Sequence, residues 1–114
     1  NIVQAYTAPY DNWNNRIATL RFVQDIPLFP KDKGYDLVSN VQSQLSQFDK
    51  LPVLICWGDK DFVFDHHFLK QWQAHLPNAE VHRFADCGHY ILEDATEEVI
   101  TLIEDFLERH PIAD

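Results

Sequence analysis

The sequence has no methionine and only three glycines and two cysteines among its 114 residues. So little glycine, beside six prolines, excludes collagen-like repeats and Gly/Pro-rich disordered chains. Cys56 and Cys87 are too few for a disulfide scaffold, and they do not have the CxxC spacing of a metal motif. Because the initiator methionine is also absent, we expect the chain to be a piece of a longer protein that lacks its N-terminal half.

Basic residues are few as well, with 9 Lys and Arg against 18 Asp and Glu, which gives a net charge of −9. Nucleic acids and anionic membrane surfaces both attract basic faces, so neither is an expected partner. No apolar run reaches the ~18 residues that span a bilayer. Residues 1–10 lack the basic and apolar regions of a signal peptide. A cytoplasmic globular chain is the expectation.

The spacing of apolar residues predicts four helices and two strands. Residues 1–10 are predicted as a loop, helices at about 13–24, 36–48, 66–75 and from 95 to just before Pro111, and strands at 53–57 and 81–84. The run 53–57 is almost wholly apolar, which is typical of a strand buried on both faces of a parallel sheet. The predicted helix caps are Asp11 or Asn12, Asp36, Asp65, and Asp94 with Glu97.

The alternation of strands and helices after residue 35 predicts an α/β fold with a parallel sheet and helices over its faces. Two strands alone do not form a stable open sheet, so further strands must come from the absent part of the protein or from another chain. We divide the chain into a helical segment, 1–34, and the C-terminal part of an α/β core, 35–114. The free edge of the first strand leads us to expect self-association of the isolated chain.

Two glycine-containing loops directly follow the two predicted strands. The first runs from Gly58 to Asp61, and the second contains Gly88 and His89. Ligands of open parallel sheets bind beyond the carboxyl ends of the strands, so Asp61 and His89 are expected to face one crevice. Asp61 would then accept a hydrogen bond from the His89 ring. Both glycines are expected to supply backbone freedom for the turns.

Other residues near these loops compete for functional roles. Asp59 and Asp65 are rival acids, and we interpret them as a turn former and a helix cap. His66 and His67 suggest a metal site, but adjacent helical residues point about 100° apart, so no metal or organic cofactor is expected. Cys87 is interpreted as a residue in the wall of the site rather than as a nucleophile. The remaining histidines, His75, His82 and His110, are interpreted as structural.

The two loops resemble those of the α/β-hydrolase family. That family places its acid at the third position after a strand-ending glycine, as in Gly58-x-x-Asp61, and its base in a Gly-His loop followed by an acidic residue, as in Gly88-His89-Tyr90-Ile91-Leu92-Glu93. The resemblance covers about residues 36–114. It implies a triad in which Asp61 is the acid and His89 the base. The nucleophile, an Asp, Ser or Cys, would lie outside this chain, which alone would be inactive.

The first third is similar to the end of a haloalkane-dehalogenase-type cap. The similarity lies in Ala5-Tyr6-x-x-Pro9-Tyr10, Arg16 and the stretch 21–27, and it is greatest to the β-lactone decarboxylases of long-chain olefin biosynthesis, which use an Asp nucleophile. It implies that residues 1–34 are a cap over a small apolar substrate and that Trp13 lines the substrate cavity. The expected function is a haloalkane-dehalogenase-like hydrolase. A β-lactone decarboxylase and a catalytically silent binding protein are the alternatives.

Overall fold

The computed structural model describes residues 1–111, so the last three residues of the predicted core segment 35–114 lie outside the described part. Contacts divide the chain into two units, Asn1–Ser43 and the part from Gln44 onward. The first unit contains α1 (Ile2–Thr7), a 3-10 turn (Ala8–Tyr10), α2 (Trp13–Gln24) and α3 (Tyr35–Ser43). The second contains a 3-10 turn (Leu45–Phe48), β1 (Leu54–Gly58), α4 (His66–His75), β2 (Glu80–Phe84), α5 (Ile91–Asp94) and α6 (Thr96–Arg109). The boundary between cap and core at residue 34 stays a prediction.

The two strands pair in parallel, with Leu54 opposite Glu80 and Gly58 opposite Phe84. The helix α4 connects them. The predicted α/β class is therefore confirmed. The first strand lies one residue later than predicted, because the ladder continues through Gly58 to the edge of the following loop.

Two helix starts follow the predicted caps. The side chain of Asn12 accepts the N–H of Asn15 at 3.1 Å and begins α2. Asp65 accepts the N–H of His67 at 2.9 Å and begins α4. At these two positions a short polar acceptor ahead of an apolar-periodic segment marks the start of the helix.

The prediction of a loop over residues 1–10 is wrong, because α1 occupies most of that segment. Asn1 and Gln4 form a reciprocal capping box. The Asn1 side chain accepts the Gln4 N–H at 3.0 Å, and the Gln4 side chain accepts from the Asn1 amino group at 3.1 Å. This pair satisfies free donors at the helix start and stabilises a segment that has little apolar periodicity.

Two other predicted caps are also wrong. The helix α3 begins at Tyr35, one residue before Asp36, because the N–H of Val38 donates to the carbonyl of Gly34. Gly34 has φ = +90°, a left-handed conformation that suits glycine and allows this early start. The helix α6 has Ala95 at its N-cap with no side-chain capping bond, so Asp94 does not cap it.

The core of the second unit is small and lies where α5 and α6 pack against the sheet. The buried apolar side chains among residues 1–111 are Leu69, Cys87, Ala95 and Val99, and the last three cluster with the partly buried Cys56, Phe84 and Ile91. Several large apolar side chains on the helices remain exposed, among them Trp72, Ile100, Ile103 and Leu107. Within the described part of the chain, every helix is too short or too polar to cross a membrane.

An ion-pair cluster joins the end of α6 to the start of β2. The guanidinium of Arg109 donates to both carboxylate oxygens of Glu80, at 3.0 and 2.8 Å, and to Asp105 at 2.9 Å. Both contacts to Glu80 come from the same guanidinium nitrogen, Nη2, and they link the end of α6 to the strand that leads to His89.

Candidate active site

Asp61 and His89 lie in the loops that follow β1 and β2, and they are in direct contact. Nδ1 of His89 is 3.0 Å from Oδ2 of Asp61. The Asp61 side chain is 11% exposed and that of His89 is 31% exposed. The contact predicted from the sequence is therefore present. The ring remains open enough on one side for a reactant to approach.

The other carboxylate oxygen of Asp61 is held by the backbone of its own loop. Oδ1 accepts the N–H groups of Val63 and Phe64 at 2.8 and 2.9 Å. Burial raises the pKa of Asp61, but the hydrogen bonds from His89 and from these two N–H groups outweigh it, and the net pKa is lowered. An ionised Asp61 accepts the proton of Nδ1 and leaves Nε2 of His89 as the proton acceptor.

The two loops are bonded to each other beyond the ends of the strands. The N–H of Asp59 donates to the carbonyl of Phe84, and that of Lys60 to the carbonyl of Cys87, both at 2.9 Å. The ammonium group of Lys60 also contacts the Asp86 carboxylate at 2.6 Å. The ladder between β1 and β2 thus continues toward Asp61 and His89 and holds the two loops together.

The glycines of the two loops are not needed for backbone freedom, contrary to the sequence-based expectation. Among the described residues only Gly34 has a positive φ. A Cβ on Gly58 would collide with the Gly88 carbonyl oxygen and lie 2.7 Å from that of Cys87. A Cβ on Gly88 would meet nothing closer than 3.7 Å. Gly58 is therefore required by the close approach of the second loop, and Gly88 is not.

Replacing Gly58 by alanine is expected to destabilise the protein by about 1–3 kcal/mol, the usual range for an overpacked site. The methyl group would push the backbone of the histidine loop away from β1. Gly88→Ala is the matched control and should change stability little, since its methyl group has ordinary van der Waals neighbours. Urea unfolding of the complete protein measures both. An equal loss of unfolding free energy in the two variants would contradict the predicted collision at Gly58.

Aromatic side chains surround the His89 ring. Ring centroids of Phe64, Phe62 and Tyr90 lie 5.5, 6.5 and 5.4 Å from it. Phe62 is 86% exposed and Tyr90 is 66% exposed, as are many other large apolar side chains of this chain. Sequence reasoning did not single these residues out. Their signal was their position beside Asp61 and His89 in the two motifs.

The rival residues have other partners. Asp59 accepts from the guanidinium of Arg83 at 2.8 Å, and Asp65 caps α4 as predicted. The ligand atoms of Asp65, His66 and His67 lie within 4.8 Å of one another on the exposed first turn of α4. The rings of His66 and His67 do not point apart as expected, because their centroids are 3.9 Å apart. Both Asp65 oxygens already contact the ring of His67.

Cys87 and Trp13 complete the residues singled out from the sequence. Cys87 is buried in the core cluster. Burial raises the pKa of its thiol, as do the neighbouring carboxylates of Asp94 and Glu98, so a reactive thiolate is disfavoured. Trp13 is the first residue of α2 in the other unit and is 69% exposed. Its role in a substrate cavity stays a prediction.

Comparison with known proteins gives matches over nearly the whole chain. The sequence pattern of the α/β-hydrolase fold family matches residues 1–96, which include Asp61 and His89. The chain is 62% identical over 106 residues to a cis-3-alkyl-4-alkyloxetan-2-one decarboxylase of Shewanella oneidensis, covering 93% of this chain and 33% of that protein. A protein of the same name from Xanthomonas campestris pv. campestris is 49% identical over 109 residues, 96% of this chain and 36% of the relative.

A more distant match is an uncharacterized hydrolase of Bacillus subtilis, which is 31% identical over 64 residues, 56% of this chain and 23% of that protein. The chain spans about a third of the length of the two decarboxylases that it matches. The resemblance read from the two loops and from the first third of the sequence is therefore confirmed at the level of the family and of these relatives.

Proposed function

Because this chain belongs to the α/β-hydrolase fold family, we propose that it supplies the acid, Asp61, and the base, His89, of a β-lactone decarboxylase. The observation that carries the proposal is the 3.0 Å contact between the two side chains in loops that follow neighbouring parallel strands. The names of the Shewanella and Xanthomonas relatives favour this reaction over the haloalkane-dehalogenase-like hydrolysis expected first.

In the proposed mechanism, a nucleophile from outside this chain attacks the substituted ring carbon of a lactone that is bonded to the ring oxygen. The bond between that carbon and the ring oxygen breaks, and the covalent intermediate carries the released oxygen as a free carboxylate. As the intermediate loses carbon dioxide and the nucleophile departs, His89 gives a proton from Nε2 to the departing group and takes it back when that group is released, so no net proton is consumed. Asp61 holds the Nδ1 proton and stabilises the imidazolium that forms. The resemblance of the first third to dehalogenase-type caps favours an Asp nucleophile, for which the intermediate is an ester between that carboxylate and the substrate carbon.

The substrate in this proposal is a four-membered lactone with alkyl chains on adjacent ring carbons. Loss of carbon dioxide breaks the ring C–O bond to one of these carbons and the C–C bond from the carbonyl to the other. A double bond then joins the two substituted carbons, so the product is an alkene. The exposed aromatic faces of Phe62 and Tyr90 beside His89 offer apolar surface for an alkyl chain.

Product analysis tests the proposal. The complete protein that carries this sequence is purified and supplied separately with a dialkyl β-lactone, a haloalkane and an alkyl ester. We expect alkene and carbon dioxide from the lactone. Halide release without alkene would identify a dehalogenase, and acid release from the ester alone would identify an esterase. No turnover of any of the three would favour the catalytically silent binding protein.

We also propose that the 114-residue chain by itself is inactive and self-associates. The side chains of Trp72, Ile100, Ile103 and Leu107 are exposed, and β1 has one strand partner within residues 1–111. Exposed apolar faces and a free strand edge favour association. Sedimentation of the purified chain at micromolar concentration should show oligomers. A monomer with a sharp, cooperative melt would contradict this.

A further inference from the structure

The carboxylate of Asp94 accepts a hydrogen bond from the loop that carries His89. Its Oδ2 accepts the N–H of Gly88 at 2.8 Å. Asp94 is the last residue of α5, so its side chain reaches back over six residues to the start of the same loop. The bond is charge-assisted, which makes it stronger than a bond between two neutral groups.

The peptide group between Cys87 and Gly88 is held at both ends. Its carbonyl oxygen accepts the N–H of Lys60 at 2.9 Å, and its N–H donates to Asp94 at 2.8 Å. In a trans peptide these two groups point in opposite directions. One bond comes from the acid loop and the other from α5, so together they fix the orientation of this peptide plane. His89 is the next residue along the chain, and its backbone direction follows from that plane.

The helix α6 has no side-chain cap, and Asp94 lies one residue before its N-cap position. Ala95 stands at the N-cap position and provides no acceptor. An Asp at a helix start normally stabilises the helix by capping it. Here the carboxylate is directed to the histidine loop instead. The buried cluster of Cys87, Ala95 and Val99 holds α5 and α6 in place independently of the carboxylate.

We propose that Asp94 is a positioning residue that orients His89 through the Cys87–Gly88 peptide. This rests on the proposed role of His89 as the base. The carboxylate of Asp94 bonds to the backbone of the histidine loop and acts on the ring through that backbone. Its contribution is to keep Nδ1 of His89 at bonding distance from Asp61, so that Nε2 meets the reacting atoms in a fixed direction.

The test uses Asp94→Ala and Asp94→Asn in the complete protein, with kcat, KM and the melting temperature measured on the substrate that it turns over. Asparagine keeps an acceptor oxygen within reach of the Gly88 N–H, and alanine does not. We expect Asp94→Ala to lower kcat by about ten- to a hundredfold with little change in KM, as for a small displacement of a catalytic group. Asp94→Asn should recover most of the lost kcat.

Asp65→Ala is the matched control. It also removes a carboxylate that accepts one backbone N–H at a helix end, that of His67, but it has no bond to the histidine loop. It should lower the melting temperature and leave kcat unchanged. If Asp94→Ala does not fold, Asp94→Ser replaces it, because the serine hydroxyl is too short to reach Gly88, and the same loss of kcat is expected.

Two outcomes would overturn the proposal. In one, kcat of Asp94→Ala equals that of Asp65→Ala, which would leave Asp94 a purely structural role. In the other, Asp94→Asn is as slow as Asp94→Ala, which would make the charge rather than the hydrogen bond decisive. His89→Ala in the same assay separates this proposal from the proposed function. An active His89→Ala would refute the proposed function, whereas an inactive His89→Ala beside a fully active Asp94→Ala would refute only the positioning role.

Discussion

Replacing His89 by alanine in the complete protein is expected to lower kcat by about 10⁴- to 10⁶-fold, the range seen when a catalytic base is removed. The ring provides the Nε2 proton acceptor next to the ionised Asp61. The ring is 31% exposed and lies beside Phe62, Phe64 and Tyr90, so the fold of the variant is measured together with its activity. Steady-state kinetics on the active substrate measures the loss, and circular dichroism confirms the fold.

His66→Ala is the control for this prediction. His66 is an exposed histidine in the first turn of α4, and its replacement should leave kcat unchanged. With an Asp nucleophile, the His89→Ala protein should also accumulate a covalent adduct that mass spectrometry detects, because breakdown of the intermediate needs the base. If His89→Ala keeps most of its activity, His89 is not the base.

The second large effect is expected for Asp61→Asn, with a loss of about 10⁴-fold in kcat. The amide oxygen can still accept from Val63 and Phe64, so the loop should keep its shape. The amide cannot hold the Nδ1 proton as a carboxylate does, so the ring is no longer fixed in the required tautomer. Asp65→Asn is the control, because asparagine caps a helix as well as aspartate does. A larger loss of kcat in Asp65→Asn than in Asp61→Asn would identify Asp65 as the acid.

The effect of Asp61→Asn on the free energy of unfolding is expected to depend on pH. The pKa of Asp61 in the folded protein lies below its ordinary value of 3.8, so its carboxylate stabilises the fold above that value. This stabilisation is lost as the pH falls through the lowered pKa. The difference in unfolding free energy between the unaltered protein and Asp61→Asn should therefore be constant near neutrality and shrink below 3.8. Urea unfolding across this pH range checks it, and a difference that grows on acidification would contradict it.

The contact between Asp61 and His89 could be predicted because its signals are local. Asp61 lies three residues after Gly58, the last residue of β1, and His89 directly follows Gly88 in the loop after β2. Parallel pairing then brings the two strand ends to the same edge, and the predicted contact between Asp61 and His89 follows from that topology alone. The shift of β1 by one residue did not affect this prediction, because Gly58 still ends the strand.

Contacts between distant parts of the chain explain the features that the sequence did not reveal. The need for glycine at 58 comes from the backbone of Cys87 and Gly88, about thirty residues later, and no local pattern reports such a contact. Asp94 fits a capping pattern, yet its carboxylate bonds backward to Gly88. The start of α1 does have a local sequence pattern, the capping box of Asn1 and Gln4. It lies in a segment with weak apolar periodicity, so periodicity alone predicts a loop there.

The backbone hydrogen bonds of Asp59 and Lys60 to the second loop determine the lifetime of the contact between Asp61 and His89. These bonds extend the sheet ladder to within one residue of Asp61. Separating Asp61 from His89 by a loop movement would break them, so the pair belongs to the same cooperative unit as β1 and β2. The amide protons of Asp59 and Lys60 should then exchange with solvent as slowly as those of the strands. The contact between Asp61 and His89 should therefore persist for as long as the two strands stay paired.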